Sequence, residues 1–230
     1  MELRLSEKNI FVVIPAYNEE KNIKNVIESI KNVNDAFKIV VIDDCSSDST
    51  YKIAAAANVS VLRHIINRGQ GAALKTGTEY AIMKEADIIV HFDADGQFLA
   101  SEISDLIKPI VAGEADIVFG SRFLGKSSNM PKLKKNIVMP LVRILQHLFF
   151  NIKTTDPQSG FRAFRSDAFT KLNWRNDQMA HCSEILYLSF KNKLKITEVP
   201  TTVIYNEFGQ KISGSIKIAK DSFLNIFIKH

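Results

Sequence analysis

Short apolar runs alternate with amphipathic stretches along most of the chain. Ile10 to Pro15, Phe37 to Ile42, Val59 to Ile65, Ile88 to Phe92 and Ala115 to Phe119 are mostly apolar and of strand length, the pattern of strands buried on both faces. The stretches between them carry the helical period. Asn18 opens a segment with Ile23, Val26, Ile27 and Ile30 on one face, and Ser46 to Thr50 supplies cap-type residues for a short Ala-rich helix ending at Ala57. Asn67 to Gly71 reads as a loop before a helix with Ala73, Gly77 and Tyr80 on one face, and Ser101 as the cap of a stripe formed by Ile103, Leu106, Ile107, Ile110 and Val111. Farther on, Leu186 to Phe190 is helical, Lys195 to Pro200 and Thr201 to Tyr205 are strand-like, and Ser215 to Ile228 predicts an amphipathic C-terminal helix. Buried strands separated by single helices predict βαβ units, and so an α/β fold with a mostly parallel sheet.

Polar clusters sit where these strands end: Tyr17-Asn18-Glu19, Asp43-Asp44, Arg68, Asp93 to Gln97, and Ser121-Arg122. In a parallel sheet those ends share one edge, outside which ligands bind. The sharpest cluster closes the run Ile88 to Phe92, where Asp93 and Asp95 stand one residue apart before Gly96 and Gln97. Residues i and i+2 of an extended chain point the same way, and two acids at a buried strand's mouth are costly unless neutralised. A divalent cation carrying phosphate oxygens satisfies both. An Asp-rich turn is the plainer alternative, but turn residues need not coincide with four other clusters along one edge.

With 46% hydrophobic and 24% charged residues among 230, the chain is expected to be a globular protein with a proper core. Cys45 and Cys182 show no metal-ligand spacing and point to a reducing compartment. No signal-peptide pattern opens the chain, and no apolar stretch approaches the ~20 residues of a transmembrane helix, so the expected location is cytoplasmic. The net charge of +5 is less informative than its placement: from Arg122 to Arg165 nine basic side chains face a single acid, Asp156. Within that block lies the apolar stretch Ile137 to Phe150. Basic flanks around an apolar helix describe an interfacial segment, peripheral at the inner membrane face; a core helix with a solvated basic rim is the alternative. No nucleic-acid motif accompanies the basic block, and no G-x-G-x-x-G follows the first strand.

Val13-Ile-Pro-Ala-Tyr-Asn-Glu-Glu20, Val41-Ile-Asp-Asp44, Asn67-Arg-Gly-Gln-Gly-Ala-Ala73, Asp93-Ala-Asp-Gly-Gln97, Gly120-Ser-Arg-Phe123 and Asp156-Pro-Gln-Ser-Gly-Phe-Arg-Ala-Phe164 resemble, in this order, the motifs of family 2 inverting glycosyltransferases. Within that family they look most like the dolichyl- or polyprenyl-phosphate sugar transferases. Each motif is weak alone; their shared order is specific. The resemblance implies a GT-A (Rossmann-like) fold, a GDP- or UDP-sugar donor and Mg2+ or Mn2+. It implies one domain over residues 1–230, with a nucleotide-sugar half at 7–123. An acceptor and membrane-interface half, carrying an interfacial-helix insertion, would occupy 124–230.

By the same resemblance, Pro15, Tyr17, Glu19 and Asp44 hold the nucleoside, in keeping with a flat Tyr face and carboxylates that accept hydrogen bonds. Asp93, Asp95 and Gln97 serve the metal and the diphosphate, and Gly69 and Gly71 let backbone approach a ligand. Lys211 supplies a cation for the diphosphate, although Asn206 stands where the family usually has Arg. Arg122 and Asp156 fall on the acceptor side. Asp156 orients an acceptor, acts as a base or pairs with Arg162; Glu184 is a weaker candidate base, and His181 a weaker one still. The expected reaction moves a hexose onto a polyprenyl phosphate. Transfer to a sugar hydroxyl, or a silent nucleotide-sugar-binding protein, are the alternatives. A homo-oligomer or a membrane-protein partner stays open.

Overall fold

The computed structural model describes residues 8–125 and 154–204. Seven strands form one sheet: β1 (Ile10–Ala16), β2 (Lys38–Asp43), β3 (Ser60–Arg63), β4 (Ile88–His91), β5 (Ile117–Ser121), β6 (Arg162–Arg165) and β7 (Ile196–Pro200). Their order is β3-β2-β1-β4-β6-β5-β7. β6 alone runs antiparallel, between β4 and β5, while the other pairings are parallel.

The helices are α1 (Ile23–Val33), α2 (Thr50–Ala56), α3 (Gln70–Met83), α4 (Ile103–Val111), α5 (Phe169–Leu172) and α6 (His181–Lys191). α1 buries Ile23, Val26, Ile27 and Ile30, and α4 buries Ile103, Leu106, Ile107 and Ile110, the i, i+3, i+4, i+7 stripe of a helix lying on a sheet. Alternation along β1 feeds two cores. Val12 and Ile14 pack with α1 and α4, whereas Phe11 and Val13 pack with α3, α6 and Trp174 on the other face. At Gly77 of α3 a Cβ would collide with the Val13 side chain and approach Ile42 Cγ1 to 3.0 Å, so glycine lets this helix settle onto β1 and β2.

The α/β reading and the parallel sheet hold, with local differences. α1 begins at Ile23 rather than Asn18, and β3 is trimmed to four residues. A 3-10 turn at Ala100–Glu102 precedes α4, and no side chain caps that helix. The cap-type residues Ser46 to Thr50 give α2 no side-chain N-cap bond at Ser49; instead Ser46 Oγ accepts from the Asn18 amide (2.9 Å) and Thr50 Oγ1 from the Glu19 amide (2.8 Å), tying the loop after β1 to the loop after β2. Of the strand expected at Thr201 to Tyr205, an isolated antiparallel bridge joins Val203 to Phe98. The interfacial stretch 137–150, the C-terminal helix 215–228, Asn206 and Lys211 lie outside the described residues. Among the described residues no helix is long and apolar enough to cross a membrane.

Candidate active site

The C-terminal ends of β1, β2 and β4 surround a cavity of about 390 Å³. Pro15, Tyr17 and Glu19 line it from β1, Asp44 from β2, and Asp93 and Asp95 from β4, with Asn67, Gly69 and Gln70 closing one side and Gln178 and Met179 another. Seven of the residues expected at the donor site, Gly69 among them, therefore line one cavity. Gln97 and Gly71 are not among the lining residues. The Gln97 main chain is bonded on both sides, its amide donating to Asp95 Oδ1 (2.9 Å) and its carbonyl accepting from the Ile204 amide (2.9 Å).

Four carboxyl groups face this cavity, and none of its described lining residues is Lys or Arg. Burial is the largest influence on Asp93, Asp95 and Glu19 and raises all three. Asp95 pushes further on Asp93, whose carboxyl is raised to about 7 against the pull of Arg162 and His181. Asp95 and Asp48 push on Glu19, while the Asn22 amide donates to Glu19 Oε2 (2.8 Å) and opposes them. Asp93 Oδ1 accepts from Gln70 Nε2 (2.8 Å). A Cβ on Gly160 would come within 2.9 Å of Asp93 Oδ2, so this glycine lets the β6 approach lie against the carboxylate. No Lys or Arg side chain among the described residues lines this cavity. Among the described residues no group of three or more ligating side chains gathers around one point. A divalent cation held here would draw on Asp93 and Asp95 and complete its shell with water or ligand oxygens, the usual habit of Mg2+.

A pH dependence follows. The Asp93 carboxyl titrates near 7 in the fold but near ~3.9 when unfolded, so its ionised form is disfavoured by folding. The metal-free protein should lose stability as pH rises from about 4 to 7. A bound cation favours the ionised form, so its stabilising effect should grow in the opposite direction. The melting-point increase produced by a fixed MnCl2 concentration is expected to be larger at pH 8 than at pH 6. An equal increase at both would contradict the assignment.

Asp44 is buried and serves the protein first. Its carboxylate accepts from the Arg68 amide (2.9 Å), the Gly69 amide (2.7 Å) and His64 Nδ1 (2.7 Å), so it shapes the loop entering α3 while one side faces the cavity. Gly71 has a different reason to be glycine from the one the sequence offered. A Cβ there would collide with the Asn176 carbonyl oxygen, and the Gly71 carbonyl accepts from Trp174 Nε1 (2.9 Å). The close neighbour is the protein's own 174–178 segment rather than a ligand. Gly71→Ala should therefore cost about 1–3 kcal/mol, read as a lower urea midpoint. It should also weaken donor binding, because the displaced segment leads into Gln178 and Met179 of the cavity wall.

On the far side of β4, Arg122 and Asp156 meet each other. Arg122 Nε donates to Asp156 Oδ2 (2.5 Å), Nη2 to Oδ1 (2.6 Å) and the backbone amide to Oδ2 (3.1 Å). The side chains are 11% and 0% exposed, so this is a buried bidentate pair. Asp156 thus partners Arg122 rather than Arg162. Arg162 is itself fully buried in β6, donating through Nη2 to Cys182 Sγ (3.1 Å) and through Nε to the Gly160 carbonyl (3.2 Å). Glu184 accepts from the Arg175 and Asn176 amides (3.0 and 2.8 Å), bracing the segment beside Gly71. His181 Nδ1 lies 2.8 Å from the Gln178 carbonyl. His91, the last residue of β4, is a core residue: burial, and then Arg162 and His181, hold it well below the usual imidazole range, and Thr78 Oγ1 lies 3.0 Å from its Nε2.

Sequence reasoning passed over Glu198 of β7. Its Oε1 accepts from the Thr154 hydroxyl (2.7 Å), the Thr155 amide (3.0 Å) and hydroxyl (2.9 Å), and the Asp156 amide (3.2 Å), fixing the loop that presents Asp156. A lone acid in the β-pattern Ile196-Thr-Glu-Val199 was the only local sign of it.

Comparison with known proteins identifies the family and the fold. Residues 11–172 match the model of the family described as glycosyl transferase family 2. The UDP-N-acetylglucosamine–dolichyl-phosphate N-acetylglucosaminyltransferase of Methanococcus voltae is 35% identical, over 97% of this chain and 97% of its own. The polyprenol monophosphomannose synthase of Mycolicibacterium smegmatis is 29% identical, over 89% and 81%. Among solved structures, glucosyl-3-phosphoglycerate synthase from Mycobacterium tuberculosis shares the fold, with a TM-score of 0.75, 20% identity, and coverage of 98% of this chain and 81% of that one. The chain belongs to glycosyltransferase family 2 and is a glycosyltransferase of the GT-A type.

Proposed function

We propose that this enzyme transfers a hexose, with inversion, from a nucleotide sugar to a polyprenyl or dolichyl phosphate at the cytosolic face of a membrane. One observation carries the donor half: an acid-lined cavity at the parallel sheet's C-terminal edge with no basic side chain among its described lining residues. A nucleoside diphosphate would be repelled there unless a cation came with it. Asp93 and Asp95 would hold Mg2+ or Mn2+, and the ion would offset charge growing on the leaving nucleoside diphosphate. The mycobacterial structure named above is of a complex with Mn2+ and uridine diphosphate, which supports the same arrangement here. Tyr17, Pro15 and Glu19 would seat the nucleoside, with Asp44 setting the loop beside it. Lys211 is proposed as a further diphosphate contact.

The acceptor half rests on charge and on the relatives' names. A phosphate monoester is largely dianionic at pH 7, so it needs positive charge more than a base. Arg122, braced by both Asp156 oxygens, stands at the end of β5 and is assigned to that phosphate. Asp156 then positions Arg122 and removes no proton. The test uses the full chain in detergent–lipid micelles with MnCl2, a prenyl phosphate and radiolabelled nucleotide sugars. UDP-N-acetylglucosamine comes first, because the Methanococcus voltae relative is named for it. Lipid-extractable, metal-dependent product is the expected result. Product on a sugar alcohol but none on prenyl phosphate would overturn the acceptor assignment, and no product with any donor would overturn the whole.

A further inference from the structure

The loop after β3 carries two uncovered isoleucines. Ile65 is 95% exposed and Ile66 67%, although Ile is among the residues most often fully buried. The loop is tied down along its length. The His64 amide donates to the Asp43 carbonyl (2.9 Å), and the His64 ring lies between Asp44 Oδ1 and Thr76 Oγ1 (2.7 and 3.0 Å). The Ile65 carbonyl accepts from Cys45 Sγ (3.3 Å) and the Asp44 carbonyl from Asn67 Nδ2 (3.2 Å), while the Arg68 and Gly69 amides close onto the Asp44 carboxylate. A buried carboxylate and a histidine thus hold in place a tip that leaves two aliphatic side chains in water.

The surroundings of the tip have a matching chemistry. Arg68 is 49% exposed, with only a 3.9 Å approach to Asp177. Arg63, also half exposed, pairs with Asp43 and lies 5.0 Å above the ring of the exposed Tyr51. An apolar tip rimmed by Arg and Tyr is the composition of a membrane-interface anchor. Asn67, Gly69 and Gln70, next along the same loop, line the acid-walled cavity, so the tip stands on the edge from which the reaction is served. We propose that Ile65 and Ile66 form a membrane-contacting wedge. It dips into the acyl boundary of an anionic bilayer, with Arg68 and Tyr51 at headgroup level, and turns the cavity towards the surface that holds the acceptor phosphate. The orienting role rests on the function proposed above; the lipid contact does not. A held loop loses little conformational entropy on insertion. A two-fold contact between copies through this tip would instead bring Arg68 towards Arg68, which anionic headgroups avoid.

The test uses the full chain, I66W, and the double variant I65S/I66S. The probes are phosphatidylcholine vesicles with and without phosphatidylglycerol, and brominated acyl chains. The native Trp174 is 1% exposed and provides a fixed background. On anionic vesicles the I66W indole should shift to the blue and be quenched by brominated lipid. I65S/I66S should lower vesicle partitioning at least about tenfold, while transfer to a short-chain prenyl phosphate in detergent stays at the wild-type rate. An unshifted, unquenched I66W indole, or wild-type partitioning of the double variant, overturns the wedge. So does a dimer that dissociates in I65S/I66S with partitioning unchanged, which would make the tip a contact between copies. Loop-dependent partitioning without transfer from any donor upholds the wedge and defeats the proposed reaction; transfer without loop-dependent partitioning does the reverse.

Discussion

Asp95→Asn is expected to lower turnover by roughly a thousandfold or more with whichever donor proves active. The substitution keeps the shape of the side chain and its acceptor for the Gln97 amide, so the fold should survive with a melting point close to the parent. What it removes is one of the two negative charges at the end of β4. Four carboxyls and no described basic side chain line this cavity, so in the proposed reaction a cation held by Asp93 and Asp95 would compensate the leaving diphosphate. Metal stabilisation of a leaving group amounts to several kcal/mol, and each 1.36 kcal/mol is tenfold in rate. Two readouts check this: kcat at saturating MnCl2, and the loss of MnCl2-induced thermal stabilisation. A kcat within tenfold of the parent would defeat the metal assignment.

Asp156→Ala should be the most destabilising single change among the proposed site residues, costing about 3–5 kcal/mol, because it removes the carboxylate to which Nε, Nη2 and the amide of Arg122 donate, in a place where that side chain is 11% exposed. For a chain of this size each kcal/mol moves the melting point by roughly 2–4 °C, so the drop should approach or exceed ~10 °C. Removing both charges with R122M/D156L should recover most of that stability and yet leave the enzyme inactive, if Arg122 holds the acceptor phosphate as proposed. The double variant should part stability from activity. Asp156→Asn weakens the buried pair in either role, so brace and base part where the variant is kept folded at low temperature: a base predicts background turnover there, a brace predicts measurable turnover.

The strands and their alternation with helices were legible because burial on both faces leaves continuous apolar runs, and α1 and α4 announce themselves by a stripe of four residues. β6 was not legible. It is four residues long and begins and ends in arginine, and it becomes a strand because β4 and β5 offer it two antiparallel partners. Arg162, whose charge argues for the surface, is fully buried there. Serines and threonines between Ser46 and Thr50 carried a helix-start signal, but the hydroxyls of Ser46 and Thr50 accept from amides of the β1 loop some thirty residues away.

The sequence by itself determined the class of fold, the sheet edge at which the polar clusters meet, and the Asp93–Asp95 pair among them. Those are local properties: a period read along the chain, a turn at a strand's end, two acids on one side of an extended backbone. Only the tertiary structure decided what each acid does. It turned Asp44 towards the Arg68 and Gly69 amides, closed Asp156 onto Arg122 across 34 positions, and set Gly71 against Asn176 rather than a ligand. A carboxylate goes to whichever donors the strand order brings within about 3 Å. That order is fixed by the packing of both sheet faces, which no single stretch of the chain contains.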